Sequence, residues 1–251
     1  MSRGVEEGHP GAVQFDAASK KYGERLALDA LTLRVKPGEI FALVGPNGAG
    51  KTTAIGLLTG LLTPTAGRVL VFGLDVSSEP LAVKRRLGLV PDRPWIWPKW
   101  TPREALRFTG AVFGMTGRAL DERIEAELEA FSLAEAGDQR AETLSHGTRQ
   151  KAALAQAFLH DPDLFVLDEP MVGLDPAAQR NLVARLRERT QMGAAVLFTT
   201  HHLSLAEEIA DRTGVLGEGR LLAAGDPRDL QGPRGMRGRL SEVFFGLTER
   251  L

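Results

Sequence analysis

Cysteine is absent from the 251-residue sequence, tyrosine occurs once, and acidic and basic residues nearly cancel, leaving a formal net charge of −1. The lack of cysteine excludes disulfide bonds and thiolate metal sites, and it fits a reducing compartment. The balanced charge gives no indication of a nucleic-acid ligand or an anionic membrane surface. The apolar runs are too short to span a bilayer, and the polar start lacks the apolar stretch of a signal peptide. We therefore expect a soluble, cytosolic protein with one sizeable core, or a core with a smaller appended lobe.

Short apolar runs alternate with longer stretches of helical pattern. The runs predicted as strands are residues 31–35, 40–44, 68–72, 87–90, 164–167, 194–199, 212–216 and 220–223. The clearest helical stretches between them are residues 52–62, 176–190 and 204–210. This alternation predicts an α/β fold with a largely parallel sheet, because strand–helix–strand units place helices on the faces of such a sheet. The early strands have no helices between them and predict a separate antiparallel piece.

The stretch from about residue 92 to 161 is helical in pattern and contains no convincing strand. Thr101 and Glu104 form a capping box with proline between them at the first helical position, so a helix is predicted to begin there. Residues 121–131 place three apolar side chains on one helical face. We interpret the whole stretch as a helical lobe inserted into the α/β core.

A glycine-rich loop, GPNGAGKTT, follows the predicted strand 40–44 and opens a helix. It matches GxxxxGK[ST] in the strand–loop–helix context that this motif requires, which disfavours an ordinary glycine-rich turn with an exposed lysine. In such a loop, backbone N–H groups curl around phosphate oxygens, and Lys51 and the Thr52 hydroxyl contact the outer phosphates and Mg²⁺. The residues assigned to this nucleotide site are Gly45, Pro46, Asn47, Gly48, Ala49, Gly50, Lys51, Thr52 and Thr53.

Two carboxylates, Asp168 and Glu169, end the apolar run LFVLDEP. Ligands of open α/β sheets bind at this carboxyl edge, and successive strand side chains point in opposite directions. One carboxylate can therefore face Mg²⁺ while the next faces an attacking water. The alternative, an acidic pair that caps the following turn, is disfavoured by the phosphate loop elsewhere in the chain.

With a third element, the loop Leu144-Ser145-His146-Gly147-Thr148, the chain resembles the ATP-binding cassette (ABC) ATPases over nearly its whole length. Their signature loop is usually LSGGQ, so His146 replaces a glycine and Thr148 a glutamine, and neither is assigned a catalytic role. The resemblance implies that Ser145 and the Gly147 N–H bind the γ-phosphate held by the other protomer of a head-to-tail dimer. A catalytic Ser145–His146 dyad is disfavoured, because adjacent side chains seldom meet in the required geometry.

The resemblance also assigns roles to single residues. Tyr22 would stack on adenine, although an ordinary half-buried aromatic remains the alternative. Glu169 would polarise the attacking water, and Lys51 and His201 would neutralise the γ-phosphate, so these three form the catalytic set. Thr52 and Asp168 would bind Mg²⁺. Asp92 stands where the family has glutamine and is a metal candidate by position only, since an ionised aspartate is shorter and accepts hydrogen bonds without donating them.

The implied fold is a RecA-like P-loop NTPase core with an antiparallel β subdomain and an inserted helical signature lobe. We divide the chain into a flexible N-terminus (1–11), an ATPase domain (12–231, lobe about 92–161), and a connector followed by an amphipathic helix (232–251). The connector is the basic run GPRGMRGR, and the helix places Leu240, Val243, Phe244 and Leu247 on one side.

The implied cofactors are ATP and Mg²⁺, and the implied partners are a second nucleotide-binding subunit, identical or different, and an integral membrane permease. The ending LSEVFFGLT is similar to that of type-2 ABC exporter subunits, which implies export from a peripheral position on the inner face of the cell membrane. A soluble ABC ATPase acting on ribosomes or nucleic acid is the alternative, disfavoured because such proteins usually contain two cassettes, coiled-coil arms or zinc-binding insertions. A regulatory subunit with little turnover is a third reading, which Asp92 leaves open.

All three tryptophans lie in PWIWPKW, residues 94–100, between a predicted strand and the capped helix. Two prolines stiffen this loop, and three indole N–H groups within seven residues are difficult to bury and satisfy together. In the resembled family, the groove just after the Asp92 position receives a coupling helix of the membrane subunit. We expect at least one of Trp95, Trp97 and Trp100 to line that groove, the alternative being that the rings are core.

Overall fold

A computed structural model describes residues 11–231 and 237–248 of the chain. In chain order the strands are β1 (Val13–Tyr22), β2 (Arg25–Val35), β3 (Ile40–Val44), β4 (Ala66–Val71), β5 (Leu74–Asp75), β6 (Leu87–Val90), β7 (Leu164–Asp168), β8 (Ala195–Thr200), β9 (Arg212–Gly217), β10 (Arg220–Gly225), β11 (Leu230–Gln231) and β12 (Arg237–Gly238). The helices are α1 (Lys51–Leu58), α2 (Pro80–Arg85), α3 (Pro102–Val112), α4 (Gly117–Ala130), α5 (His146–Phe158), α6 (Pro176–Gln191), α7 (Leu203–Ile209) and α8 (Leu240–Thr248), with a 3₁₀ turn at Ala141–Thr143. The predicted flexible N-terminus lies outside the described residues except for residue 11, as do connector residues 232–236.

The antiparallel piece is a four-stranded sheet in the order β2-β1-β4-β5. It was predicted from the early strands as a group. Of these, residues 31–35 and 68–72 lie in it, whereas residues 40–44 form β3 of the central sheet. Strand β1 was not predicted at all, and β2 begins six residues earlier than expected. The physical reason lies in the register. The pairing of β1 with β2 shifts between Phe15 and Ala18 and again at Lys20, so apolar and polar residues do not alternate with a regular period.

The central sheet has six strands in the order β10-β9-β3-β8-β7-β6. Every pair is parallel except β10 with β9. Strands β3, β7 and β8 are buried along their whole length, which explains why they appear in the sequence as unbroken apolar runs. The pairings Val44–Thr200 and Asp168–Thr199 bring the carboxyl ends of these three strands to one edge.

Three helices, α3, α4 and α5, lie between β6 and β7 and share a buried apolar core, as predicted for the lobe. The predicted capping box is present at the start of α3. The Glu104 N–H donates to the Thr101 hydroxyl at 3.2 Å, and the Thr101 N–H donates to the Glu104 carboxylate at 2.9 Å. Local sequence alone therefore specifies where this helix begins.

The C-terminal helix α8 buries Leu240, Val243 and Leu247 against the core, as its amphipathic pattern predicts. Its approach differs from the prediction, because β12 pairs antiparallel with β11, and the end of the expected connector is therefore a short strand. This pairing uses backbone groups and leaves little trace in the side-chain pattern. Among the described helices, none has both the length and the apolarity needed to cross a bilayer.

Thr101→Ala should lower the free energy of unfolding by about 1 kcal/mol, because it leaves an N–H at the start of α3 without its acceptor. Urea denaturation followed by circular dichroism measures the change. Thr116→Ala is the matched control, since Thr116 holds the same position at α4 but makes no side-chain capping bond. Equal losses in the two variants would contradict the assigned role of the capping box.

Candidate functional site

A cavity of about 550 Å³ lies where the phosphate loop meets the carboxyl ends of β7 and β8. Most of the predicted site residues line it: Tyr22, Asn47, Gly48, Gly50, Lys51, Thr52, Thr53, Asp92, Asp168, Glu169 and His201. Gly45, Pro46 and Ala49 belong to the same loop without lining the cavity. Ser145 and Gly147 lie elsewhere, at the start of α5.

The phosphate loop needs glycine at three positions for steric reasons. Gly48 and Gly50 adopt φ angles of 82° and 109°, in the left-handed region that side chains other than glycine avoid. A Cβ at Gly45 would collide with the carbonyl oxygen of Leu216 on β9. The loop therefore packs closely against the sheet and leads into α1 at Lys51.

The Lys51 ammonium folds back over the loop that precedes it. Its Nζ donates to the carbonyl oxygens of Gly45 at 2.6 Å and Pro46 at 3.1 Å. Burial lowers the pKa of Lys51, while the nearby carboxylates of Glu169 and Asp168 act in the opposite direction. The site thus holds one buried cation opposite two acidic side chains.

Asp168 is a buried carboxylate held between two threonines. The Thr199 hydroxyl on β8 donates a short hydrogen bond to Oδ1, and the Thr52 hydroxyl lies 3.5 Å from Oδ2. Burial raises the pKa of Asp168, and the charges of Asp92 and Glu169 raise it further, whereas the Thr199 bond and Lys51 lower it. The arrangement concentrates negative charge and oxygen donors at one wall of the cavity.

Glu169 and His201 form the other polar pair. The His201 Nδ1 lies 2.7 Å from Glu169 Oε1. Glu169 has a φ of 50°, and its N–H donates to the carbonyl oxygen of Thr199 at 3.2 Å, so the backbone of Glu169 is held to the end of β8. A carboxylate oriented by an imidazole is a suitable acceptor for a proton.

The adjacent histidines are distinguished by their positions. The His202 ring is tilted against the His201 ring, with ring centroids 4.0 Å apart, but it lines a different cavity beside α7. The motif alone leaves an ambiguity of one residue between the two; in the structure His201 lines the cavity beside the phosphate loop and contacts Glu169.

Tyr22 lies at the rim of the cavity with 46% of its surface exposed, and Arg25 lines the same wall. Sequence reasoning missed Arg25, which belongs to no motif. It is the hairpin partner of Tyr22 in the β1–β2 register. Recognising β1 as a strand would have placed Arg25 opposite Tyr22.

Ser145 caps α5 rather than forming a dyad with its neighbour. Its hydroxyl accepts from the Thr148 N–H at 3.1 Å and lies 2.8 Å from the Thr148 hydroxyl. The His146 ring instead lies against Gly173 in the loop that follows β7. Ser145 is exposed at a helix N-terminus, which is a favourable place for an anion.

Asp175, in the GLDP sequence, caps α6. Its carboxylate accepts from the Ala178 N–H at 2.9 Å and pairs with Lys151 on α5 at 3.0 Å. The bond from Ala178 and the Lys151 partner together lower the pKa of Asp175.

Residues 28–172, more than half of the chain, match the protein-family model described as ABC transporter. The chain belongs to the ABC transporter family. It is 38% identical over 227 residues to the probable multidrug ABC transporter ATP-binding protein YbhF of Escherichia coli (strain K12), covering 90% of this chain and 39% of that protein. It is 38% identical over 219 residues to the Nod factor export ATP-binding protein I of Rhizobium etli, covering 87% of this chain and 69% of that one. The chain thus spans less than half of YbhF.

The fold of this ABC protein also matches a solved structure, that of an ATP-binding subunit of an ABC transporter. The TM-score is 0.85 at 30% identity, and the match covers 94% of this chain and 99% of the other. The predicted α/β fold and the predicted family are therefore both confirmed.

Asp168→Asn should stabilise the chain, without nucleotide or divalent metal, increasingly as pH rises from about 4 toward neutrality. A carboxyl with a raised folded-state pKa contributes stability at low pH and loses it as pH rises through that pKa. Asp175→Asn should have the opposite pH dependence and destabilise the chain increasingly as pH rises. The lowered pKa of Asp175 contributes stability above the pKa of the unfolded chain, and this contribution is lost as pH falls. Thermal unfolding across pH 4–8 measures both trends. The same pH slope in the two variants would contradict the assignment.

Proposed function

We propose that this ABC protein binds and hydrolyses ATP as one half of a head-to-tail dimer, and so drives export through a separate membrane subunit. The observation that supports hydrolysis is the convergence of Lys51, Asp168 and the Glu169–His201 pair in one cavity beside the phosphate loop. We assign residues 12–231 to the ATPase domain, with its helical lobe at about 92–161, and residues 232–251 to the tail.

The donors at this site fit Mg²⁺. Thr52 and Asp168 offer oxygen atoms 3.5 Å apart, and oxygen is the ligand that this cation prefers. Thr52 and Asp168 would hold the ion, and bound Mg²⁺ would neutralise phosphate charge. Asp92 lines the same cavity, but an ionised aspartate is shorter than the family's glutamine and only accepts hydrogen bonds, so a direct role in binding the ion is the weaker assignment.

Hydrolysis then depends mainly on position and charge. Tyr22 at the rim would stack on the base. Glu169 accepts the proton of the water that attacks the γ-phosphate. His201 neutralises the charge of that phosphate, as expected from the sequence, and its Nδ1 contact also orients the Glu169 carboxylate. Lys51 exchanges its bonds to the loop carbonyls for the phosphate oxygens and stabilises their charge.

The dimer is proposed from the position of Ser145. Ser145 and the Gly147 N–H stand at the exposed N-terminus of α5, outside the cavity that the same chain forms. A helix terminus of this kind suits an anion, and in a head-to-tail pair it would contact the nucleotide of the other subunit. That subunit would be a second copy or a related chain.

Glu169→Gln should leave ATP binding intact and lower turnover by about 10²–10⁴-fold, because a neutral amide cannot accept the proton of water. With ATP and Mg²⁺ the variant should elute as a dimer in size-exclusion chromatography. Glu122→Gln is the control, since Glu122 is an exposed lobe carboxylate paired with Arg118. A monomeric Glu169→Gln variant that hydrolyses ATP at the wild-type rate would refute both the base and the dimer.

The tryptophan loop divides into an exposed and a packed part. Trp95 and Trp97 are 63% and 55% exposed, and their ring centroids lie 4.7 Å apart. Trp100 is partly buried against the main core and contacts Phe108 of α3, with ring centroids 5.2 Å apart. Phe108 and Val112, one turn apart on α3, are themselves exposed, so an apolar surface extends from the loop onto the helix.

We assign this apolar surface to the coupling helix of the membrane partner. A cluster of exposed aromatic rings is typical of an interface anchor. A separate permease would hold the chain on the cytoplasmic face of the membrane. Export is proposed because relatives named for multidrug transport and Nod factor export are 38% identical to this chain.

Trp95→Ala and Trp97→Ala should weaken association with the membrane subunit, by about 1–4 kcal/mol at the stronger anchor, with little effect on the ATPase rate of the isolated chain. Co-purification and titration in detergent measure the association. Met192→Ala, a similarly exposed apolar residue at the end of α6, is the control. Unchanged association in both tryptophan variants would remove this surface as the docking site.

A further inference from the structure

One face of the first two turns of α5 packs on, and hydrogen-bonds to, the loop of residues 170–175 that follows Glu169. Gln150 is buried and donates from Nε2 to the Pro170 carbonyl oxygen at 3.0 Å. Lys151 pairs with Asp175 at 3.0 Å. Gly147 lies so close to the Gly173 carbonyl oxygen that a Cβ there would collide with it. These contacts recur along one side of the helix, as positions four residues apart must.

His146 completes this face at the end nearest Ser145. A Cβ on Gly173 would lie 2.5 Å from His146 Cδ2 and 3.1 Å from its Nε2, and the three atoms closest to that Cβ all belong to the imidazole. Gly173 has a φ of 78°, so the loop turns sharply at the point where the ring rests on it. The ring therefore occupies the space that a side chain at position 173 would otherwise take.

The other end of this loop is the proposed catalytic base. Pro170 follows Glu169 directly, and the Val172 N–H donates to the Glu169 carbonyl oxygen at 3.2 Å. A continuous path of packed groups thus runs from Glu169 through residues 170–173 to His146 and the Ser145 cap. Both ends belong to one chain, although the proposed dimer uses them at two different nucleotides.

We propose that His146 is a positioning residue: its ring packs on the loop after Glu169 and so fixes the position of the neighbouring Ser145. As a result, Ser145 and Glu169 of one chain move together. The position of Ser145, which contacts the nucleotide of the partner subunit, would then depend on whether nucleotide is bound near Glu169 of the same chain. This inference rests on the proposed function, because it requires Ser145 to act on a second subunit.

The test starts with His146→Ala and His146→Gln in the full chain. Loss of the ring in His146→Ala should lower kcat by about 5- to 50-fold, with unchanged nucleotide affinity of the protomer, because the clamp is displaced while the cavity is intact. His146→Gln, whose flat amide also covers Gly173, should retain a kcat within about threefold of wild type. A wild-type rate in His146→Ala, or an equal loss in the two variants, would overturn the proposal.

A double-mutant cycle tests the contact independently of turnover. Gly173→Ala should lower the melting temperature more than Gly114→Ala, since Gly114 has nearly the same φ of 79° but no atom of the described residues within 4 Å of an added Cβ. In a His146→Ala background the excess should disappear, because the collision has been removed. A persistent excess would show that the ring does not set the loop and would overturn the proposal.

Different outcomes would refute the proposed function and the positioning role of His146. If the wild-type chain neither hydrolyses ATP nor dimerises as Glu169→Gln, the proposed function fails, whatever the melting cycle shows. If hydrolysis and dimerisation are normal but the cycle shows no coupling between positions 146 and 173, only the positioning role of His146 fails.

Discussion

The hydrogen bond from Thr199 to Asp168 is the interaction on which the site depends. It joins the carboxyl ends of β8 and β7 and supports a carboxylate that burial alone would favour in its neutral form. The same threonine also accepts from the Glu169 N–H, through its carbonyl oxygen at 3.2 Å and its hydroxyl at 3.3 Å. One residue therefore bonds both the Asp168 carboxylate and the backbone of Glu169, and the parallel pairing of β3, β8 and β7 sets their distance from the phosphate loop.

The chemistry of this site was predictable because it is local in the sequence. The loop from Gly45 to Thr53 and the pair Asp168–Glu169 each lie within a few residues of a buried strand, and the carboxyl ends of neighbouring parallel strands meet. Arg25 and strand β1 were not predictable in this way. Their places depend on an irregular register between distant segments, which no periodic pattern records.

The contact between the helical lobe and α6 of the core was also not predicted from the sequence. Helix α4 has the composition of a solvated surface, yet Glu127 is only 2% exposed and pairs with Arg185 on α6 at 2.8 Å. The Arg185 guanidinium lies 4.6 Å from the ring centroids of both Phe131 and Phe158. Arg123 on α4 also pairs with Glu127, at 3.2 Å, so this buried carboxylate has two cationic partners. The partner from α6 holds the lobe to that helix through an ion pair that a helical pattern conceals.

The two bonds that Lys51 makes to the loop carbonyls have a consequence for ligand selection. An entering anion competes with the Gly45 and Pro46 carbonyl oxygens for the Lys51 ammonium group. Its contact with Lys51 therefore replaces existing hydrogen bonds and adds no new one. A lone phosphate recovers little from that exchange. A polyphosphate chain also engages the N–H groups of the loop and the start of α1, and its gain grows with the number of phosphates it presents. A longer phosphate chain therefore compensates better for the loss of the two Lys51 bonds.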